Sequence, residues 1–183
     1  MIMKNIFKFL AISLLVVGAA SCSKEEIGGT AVQEMAGEWY VMVDGVDSNG
    51  EITMEDPFGM GYFPIFTYNT NSNMATEMYV DDDDNFWGFK VIANIDYVQK
   101  TFNVSDAVMY YEEDEETGEV YPVHVDIIDG KIVTDGATSP AGYKADSISF
   151  KVVFEDDQYI GAGYWDALWV HGYRRTGLNG GYD

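Results

Sequence analysis

From Gly37 onward, apolar and polar residues alternate along most of the chain. The clearest segment is 146–155, where four apolar side chains share one face: Ile148, Phe150, Val152 and Phe154. A period of two is typical of a β-strand with one buried face. The same pattern, or a short apolar run, predicts strands at 38–44, 63–68, 76–80, 87–95, 98–104, 108–111, 121–127, 131–134 and 168–176.

Turn residues separate many of these segments and favour hairpins between neighbours. Asp129-Gly130 lies between two apolar runs and is the strongest two-residue hairpin signal in the chain. The acidic segments 81–85 and 112–119 are predicted links between strands. Some eight to ten sequential antiparallel strands in roughly 140 residues predict an all-β fold, either an up-and-down barrel or a sandwich.

The N-terminus has the pattern of a secretion signal. Lys4 and Lys8 precede an apolar run over residues 9–20, which is shorter than the ~20 residues that a membrane-spanning helix needs. Small residues then lead directly to Cys22, the only cysteine, although Ala19 occupies a place where leucine is commonest in lipoprotein signals. We therefore expect a signal peptide at 1–21, a lipid on Cys22, a tether at 22–36 and one barrel domain at 37–183.

The charge excludes several classes of partner. Loss of the two signal lysines leaves 8 basic residues against 31 acidic ones, a net charge of −23. Nucleic acid and anionic membrane surfaces are repelled by such a field, so membrane association is expected only through the lipid anchor. With Cys22 acylated, no disulfide is available and burial alone must stabilise the fold.

No motif assigns a catalytic or metal site. The chain lacks a Gly-x-Ser-x-Gly elbow, and only His124 and His171 could act as a base near neutral pH. The spacing of Asp81, Asp83 and Asn85 is that of calcium ligands, but the glycine and glutamate of an EF-hand loop are missing, which favours a solvated hairpin tip. We predict no metal or cofactor, and catalytic residues stay unassigned.

Gly37-Glu38-Trp39 resembles the Gly-x-Trp signature of lipocalins, in which the tryptophan closes one end of the barrel under an arginine of the last strand. That resemblance implies closure by Trp39 with Arg174 or Arg175, the only two arginines. Both stand near the end of the last predicted strand, and the sequence does not choose between them.

Several segments together resemble a family of Bacteroidetes lipoproteins described as lipid-binding putative hydrolases. The matching segments are 68–70, 78–82, 85–90, 100–102, 145–150 and 172–177. The resemblance implies a lipocalin-like antiparallel barrel of about eight strands. Ser23-Lys24-Glu25-Glu26 also resembles the export tag of surface lipoproteins, which implies a lipid-anchored position on the outer membrane, at the cell surface. A periplasm-facing position is the alternative.

The aromatic residues suggest a function, because 13 Tyr, 10 Phe and 4 Trp exceed what closing one barrel end requires. An aromatic lining suits a small apolar or amphipathic ligand, and the negative charge favours neutral or cationic amphiphiles. A lipase- or esterase-like hydrolase and a filled scaffold that engages a partner are the alternatives. The residues predicted to contact the ligand are Trp87, Phe89, Tyr121, Phe150, Phe154 and His171.

Overall fold

Nine β-strands and one short helix make up the computed structural model, which describes residues 28–177. The predicted signal peptide, Cys22 and the export tag lie outside the described residues. In residues 28–177, no helix has the length and apolarity needed to span a membrane. The elements are β1 (Gly37–Val46), β2 (Ile52–Glu55), β3 (Phe63–Tyr68), β4 (Glu77–Asp81), β5 (Lys90–Asp96), β6 (Thr101–Glu113), β7 (Val120–Thr138), β8 (Lys144–Phe154), α1 (Gln158–Gly161) and β9 (Ala167–Arg174).

The sheet closes on itself into a barrel. From β3 to β9, each strand pairs antiparallel with the next one along the chain, and β1 pairs with both β3 and β9. The β1–β9 ladder runs from Trp39 opposite Arg174 to Val46 opposite Ala167. Strand β2 lies outside the ring and pairs only with residues 44–46 of β1. The predicted all-β, up-and-down barrel of about eight strands is confirmed.

The inward-facing side chains fill the barrel. Alternate residues are buried most regularly in β3, β4 and β8, as the period of two requires. Burying each large apolar side chain contributes about 1.5–3 kcal/mol. The largest buried apolar side chains come from six of the strands and from the segments just before β1 and β5: Met35, Trp39, Ile65, Met78, Phe89, Ile127, Ile132, Ile148, Phe150, Phe154 and Leu168.

The hairpin predicted at Asp129-Gly130 is wrong, because β7 continues through both residues as one bent strand. Asp129 has a left-handed backbone (φ +57°), and the ladders to β6 and β8 shift register there, which defines a β-bulge. A Cβ at Gly130 would lie 2.4 Å from the Phe102 carbonyl oxygen, so only glycine fits. Asp-Gly supplies the same backbone conformation to a turn or a bulge, and strand pairing selects the bulge here.

A second bulge joins two predicted strands. Strand β6 runs continuously through Asp106 (φ +52°), whose N–H donates to an Asp126 carboxylate oxygen at 2.8 Å. The segments predicted as separate strands at 98–104 and 108–111 therefore belong to one strand. The two bulges bend β6 and β7, and the two strands extend together past their outer neighbours.

Candidate functional site

One end of the barrel is sealed around Trp39, which has no exposed surface. Its indole Nε1 donates to Thr67 Oγ1 at 2.8 Å, and the Thr67 hydroxyl donates in turn to the Met35 carbonyl at 2.6 Å. Met35 and Val32 are fully buried beneath the indole. Two residues of the segment predicted to be a tether are thus part of the core.

Arg174 covers the outer face of this seal. Its guanidinium carbon lies 4.7 Å from the centre of the Trp39 ring, and Nη2 donates to the Glu34 carbonyl at 2.7 Å. Asp146 lies 3.4 Å from the same nitrogen. Arg175 instead points outward and pairs with Glu38 at 2.9 Å. Of the two predicted arginines, Arg174 is the one that lies over the Trp39 ring. We call the end of the barrel around Trp39 the closed end.

The opposite end, which we call the mouth, carries a cluster of aromatic side chains from three loops. Phe58 lies in the loop before β3 and contacts four rings at centroid distances of 5.5–6.3 Å: Phe86, Trp87, Tyr159 and Trp165. Trp87 stacks on the buried Phe154 with centroids 4.5 Å apart and rings nearly parallel. The cluster is half-buried over an apolar interior, so it covers that interior at the mouth.

Buried or bonded aspartates fix the loops of the mouth. Asp82 has no exposed surface and accepts the N–H groups of Trp87 at 2.7 Å and Gly88 at 2.8 Å. Burial raises the pKa of Asp82, although these donors act in the opposite direction. Asp157 accepts the Trp165 indole N–H at 2.8 Å and caps α1.

Asp156 joins the mouth to β6. It accepts the Trp87 indole N–H at 2.9 Å through one oxygen and the Tyr110 hydroxyl at 2.5 Å through the other. Burial and the neighbouring Asp156 raise the pKa of Tyr110 far above its ordinary value, so the hydroxyl keeps its proton as the donor.

An aspartate also organises the loop that carries Phe58. Asp56 (φ +37°), Gly59 (φ +66°) and Gly61 (φ +63°) have left-handed backbones. The Asp56 carboxylate accepts the N–H groups of Met60 and Gly61 within the loop, at 2.9 and 3.0 Å. The Asp56 N–H donates to a buried Asp44 oxygen at 2.9 Å. The loop is therefore organised mainly by its own bonds, and the Phe58 ring is its main contact with the mouth.

Four of the six predicted ligand contacts face the interior or the mouth. Phe89 and Phe154 are buried with centroids 5.7 Å apart, and Phe150 packs against Phe102 at 5.6 Å. Trp87 lies above them at the mouth. The sequence hypothesis did not single out Phe86 or the buried Asp82, since nothing in the run 81–84 distinguishes one aspartate from the others.

Tyr121 and His171 lie on the outside of the barrel. The Tyr121 hydroxyl donates to Glu112 at 2.8 Å, while His171 stacks on Trp169 at 4.0 Å with its Nε2 3.0 Å from Asp44. The predicted role of both residues as contacts of a ligand inside the barrel does not fit this position. For His171 the physical reason is strand parity, because it alternates with the buried Val170. Tyr121 has the parity of the buried Val123, but it lies on the part of β7 that extends past the last pair with β8 and is therefore exposed.

The positions of His124 and His171 also bear on whether the chain has a hydrolytic site. His124 lies 2.9 Å from a Glu155 carboxylate oxygen, and this bond lowers the pKa of Glu155. Both histidines thus face carboxylates on the outer wall. Within residues 28–177, no serine or threonine hydroxyl is hydrogen-bonded to either ring, and no three His, Asp or Glu side chains are arranged to hold a metal ion.

Grooves on the outer surface include one of 670 Å³ along the bulges of β6 and β7 and one of 200 Å³ between Asp146 and Arg174. Neither reaches the interior residues around Phe154. At the mouth, Phe86 and Trp87 of the aromatic cluster pack directly on Phe154 and so cover the interior there.

Comparison with known proteins agrees with this architecture. The family model described as lipid-binding putative hydrolase matches residues 24–179, which covers the closed end, the barrel and the mouth. A search of curated proteins found no match. The chain belongs to the family of lipid-binding putative hydrolases.

Proposed function

We propose that this chain binds a small apolar or amphipathic molecule that enters the barrel at the mouth, with Phe58 as the movable ring that the ligand displaces. The observation that carries the proposal is the position of Phe58 among four other rings, on a loop held mainly by bonds to itself. Membership of a lipid-binding family supports the same class of ligand.

The energetics favour exchange between ring and ligand. An acyl chain that replaces Phe58 would recover the buried contacts of the cluster at about 25 cal/mol per Å² of apolar surface. The closed loop competes with the ligand. The apparent affinity is therefore proportional to the fraction of molecules in which the mouth is open, and it rises when opening becomes easier. Trp87 and Phe154 are stacked and form the wall that remains when Phe58 moves.

The headgroup preference follows from the charge around the mouth. Glu155, Asp156 and Asp157 lie next to the cluster, and the whole chain carries a formal net charge of −21. A carboxylate headgroup would be repelled there, whereas a neutral or cationic headgroup would not. We therefore assign neutral or cationic amphiphiles as the ligand class.

The test is a titration of the Cys22→Ala chain with a neutral amphiphile, a cationic amphiphile and a fatty acid, followed by tryptophan emission. We expect saturable binding of the first two and weaker binding of the fatty acid. Phe58→Ala should tighten binding about tenfold by removing the competing ring, and Trp87→Ala should weaken it. Val98→Ala is the matched control, because Val98 is 84% exposed and lies at the closed end.

Two results would contradict the proposal. One is the absence of a saturable change with any of the three molecules. The other is equal affinity for the parent chain, Phe58→Ala and Trp87→Ala, which would place binding away from the mouth and leave a filled scaffold as the better interpretation.

We further propose that the protein is a lipoprotein anchored at Cys22 in the outer membrane and displayed at the cell surface. The lipid-type signal before Cys22 and the Lys24-Glu25-Glu26 tag support this position. Cys22→Ala should release the protein from membranes, since acyl chains contribute ~0.8 kcal/mol per buried methylene. Alanine at the three tag positions should leave the lipid in place but protect the protein from added protease. Membrane retention of Cys22→Ala, or unchanged protease access, would contradict the respective part.

A further inference from the structure

Strands β6 and β7 extend beyond their neighbours as a two-stranded arm, residues 107–113 and 120–124. Strand β5 pairs with β6 only at Thr101, Phe102 and Asn103, and the last β8 pair is Phe154 with Val125. In the described part of the chain, residues 107–113 pair with β7 and with no other strand. The arm therefore has a free β6 edge beside the mouth.

The hydrogen bonds of His124 show which backbone groups this edge presents. Its N–H donates to a Glu155 carboxylate, and its carbonyl accepts the Glu155 N–H, so the His124 backbone faces away from β6. Antiparallel pairs alternate between bonded and non-bonded. On β6, Val108 lies opposite His124, Tyr111 opposite Pro122 and Glu113 opposite Val120. The N–H and C=O groups of these three β6 residues therefore point toward the free edge.

The two edges of the arm are protected unequally. On the β7 edge, Pro122 has no N–H, which blocks the addition of another strand. On the β6 edge, residues 107–113 contain no proline and no lysine. A register shift between Val108 and Tyr110 interrupts this edge, so its regular part is residues 110–113. Four apolar or aromatic side chains of the arm are exposed by 40–67%: Val108, Tyr111, Val120 and Tyr121. An exposed edge of this kind is a template for strand addition.

Charge selects the partner. No lysine or arginine occurs between Lys100 and Lys131, and the arm ends in exposed carboxylates at residues 112–116 and 119. A second copy of the arm would bring like charges together, and an acidic strand would be repelled in the same way. A strand that carries lysine or arginine would place opposite charges beside these carboxylates.

We propose that the free edge of β6 receives an extended, lysine- or arginine-rich segment of another protein as an added strand. Backbone bonds to Tyr111 and Glu113 hold the segment, and the carboxylates of the arm select its basic side chains. This surface lies outside the barrel interior, and Asp156 connects it to the mouth through its bonds to Tyr110 of the arm and to Trp87.

The experiment uses the full chain and a blocked eight-residue peptide of alternating lysine and valine, with a glutamate–valine peptide as control. Affinity is measured by fluorescence anisotropy, and contact is measured by amide hydrogen exchange. We expect binding of the lysine peptide that weakens with salt, and slower exchange at Tyr111 and Glu113. The glutamate peptide should not bind.

Two substitutions of Tyr111 distinguish the contribution of its backbone N–H from that of its side chain. Tyr111→Pro removes the outward N–H and should weaken binding at least about tenfold, whereas Tyr111→Thr keeps that donor and should cost less than about threefold. The triple variant E113Q/E115Q/E116Q leaves the backbone unchanged and should weaken binding about tenfold at low salt. The triple variant also tests the contribution of the carboxylates to affinity if Tyr111→Pro does not fold.

Several outcomes would overturn the inference. They are no binding of the lysine peptide up to millimolar concentration, equal binding of the glutamate peptide, unchanged exchange at Tyr111 and Glu113 in the complex, or full affinity in the triple variant. Equal affinity of Tyr111→Pro and Tyr111→Thr would also exclude strand addition at this edge.

Discussion

Truncating Arg174 at the closed end should destabilise the barrel far more than truncating its neighbour Arg175. Arg174→Ala removes the guanidinium 4.7 Å above the Trp39 ring and the 2.7 Å bond to the Glu34 carbonyl. A desolvated cation–π contact contributes ~2 kcal/mol and a charged hydrogen bond about 1.5–3 kcal/mol. Because Arg174 is partly exposed and the two terms overlap, we expect a loss of about 2–4 kcal/mol.

The assay is urea unfolding followed by circular dichroism, with thermal unfolding alongside. A loss of this size lowers Tm by roughly 5–15 °C in a domain of about 150 residues. Arg175→Ala is the matched control, since that exposed pair with Glu38 is screened by solvent and should shift the midpoint much less. A double-mutant cycle with Trp39→Phe tests the ring contact, since phenylalanine offers the guanidinium a smaller and weaker aromatic face, and should give a coupling of about 0.5–1 kcal/mol.

The reasoning is refuted if Arg174→Ala costs no more than Arg175→Ala, or if the cycle with Trp39→Phe shows no coupling. The first result would mean that water replaces the contacts of Arg174 with the Glu34 carbonyl and the indole face at no cost in stability. The second would mean that Arg174 stabilises the closed end only through its bonds to Glu34 and Asp146.

Three further predictions concern the mouth and the outer wall. Asp82→Ala should destabilise by about 1–3 kcal/mol, because it leaves two partly buried backbone donors without an acceptor, and urea unfolding measures the loss. The His124 bond lowers the folded pKa of Glu155 below its ordinary 4.5, so its stabilisation is present above that pH and lost as the pH falls through the folded pKa. Stability of the parent chain and Glu155→Gln should therefore converge in acid, and parallel pH profiles would exclude this linkage. Short-ester hydrolysis should not depend on His124 or His171, whereas turnover that disappears in the alanine variants would support the hydrolase of the family's description.

The pattern of side chains along the chain determined the fold class and much of the interior. Alternation of Ile148, Phe150, Val152 and Phe154 with polar residues marks the buried face of β8 without any knowledge of its neighbours. The reason is local, since a strand directs successive side chains to opposite faces whatever it pairs with. The same alternation places Arg174 on the face of Val170, but only the structure shows that this face is the interior one.

Pairing between distant segments decided the rest. Asp129-Gly130 has the backbone preferences of a turn, yet the ladders on both sides of β7 make it a bulge. The mouth brings Phe58 together with Phe86 and Trp165 from loops more than 25 residues apart, and no local period relates them. The sequence by itself determined that the strands exist and which side chains share a face. Only the tertiary structure decided which faces turn inward, which loops meet and which edge of β6 stays free, because these depend on contacts between residues far apart in the chain.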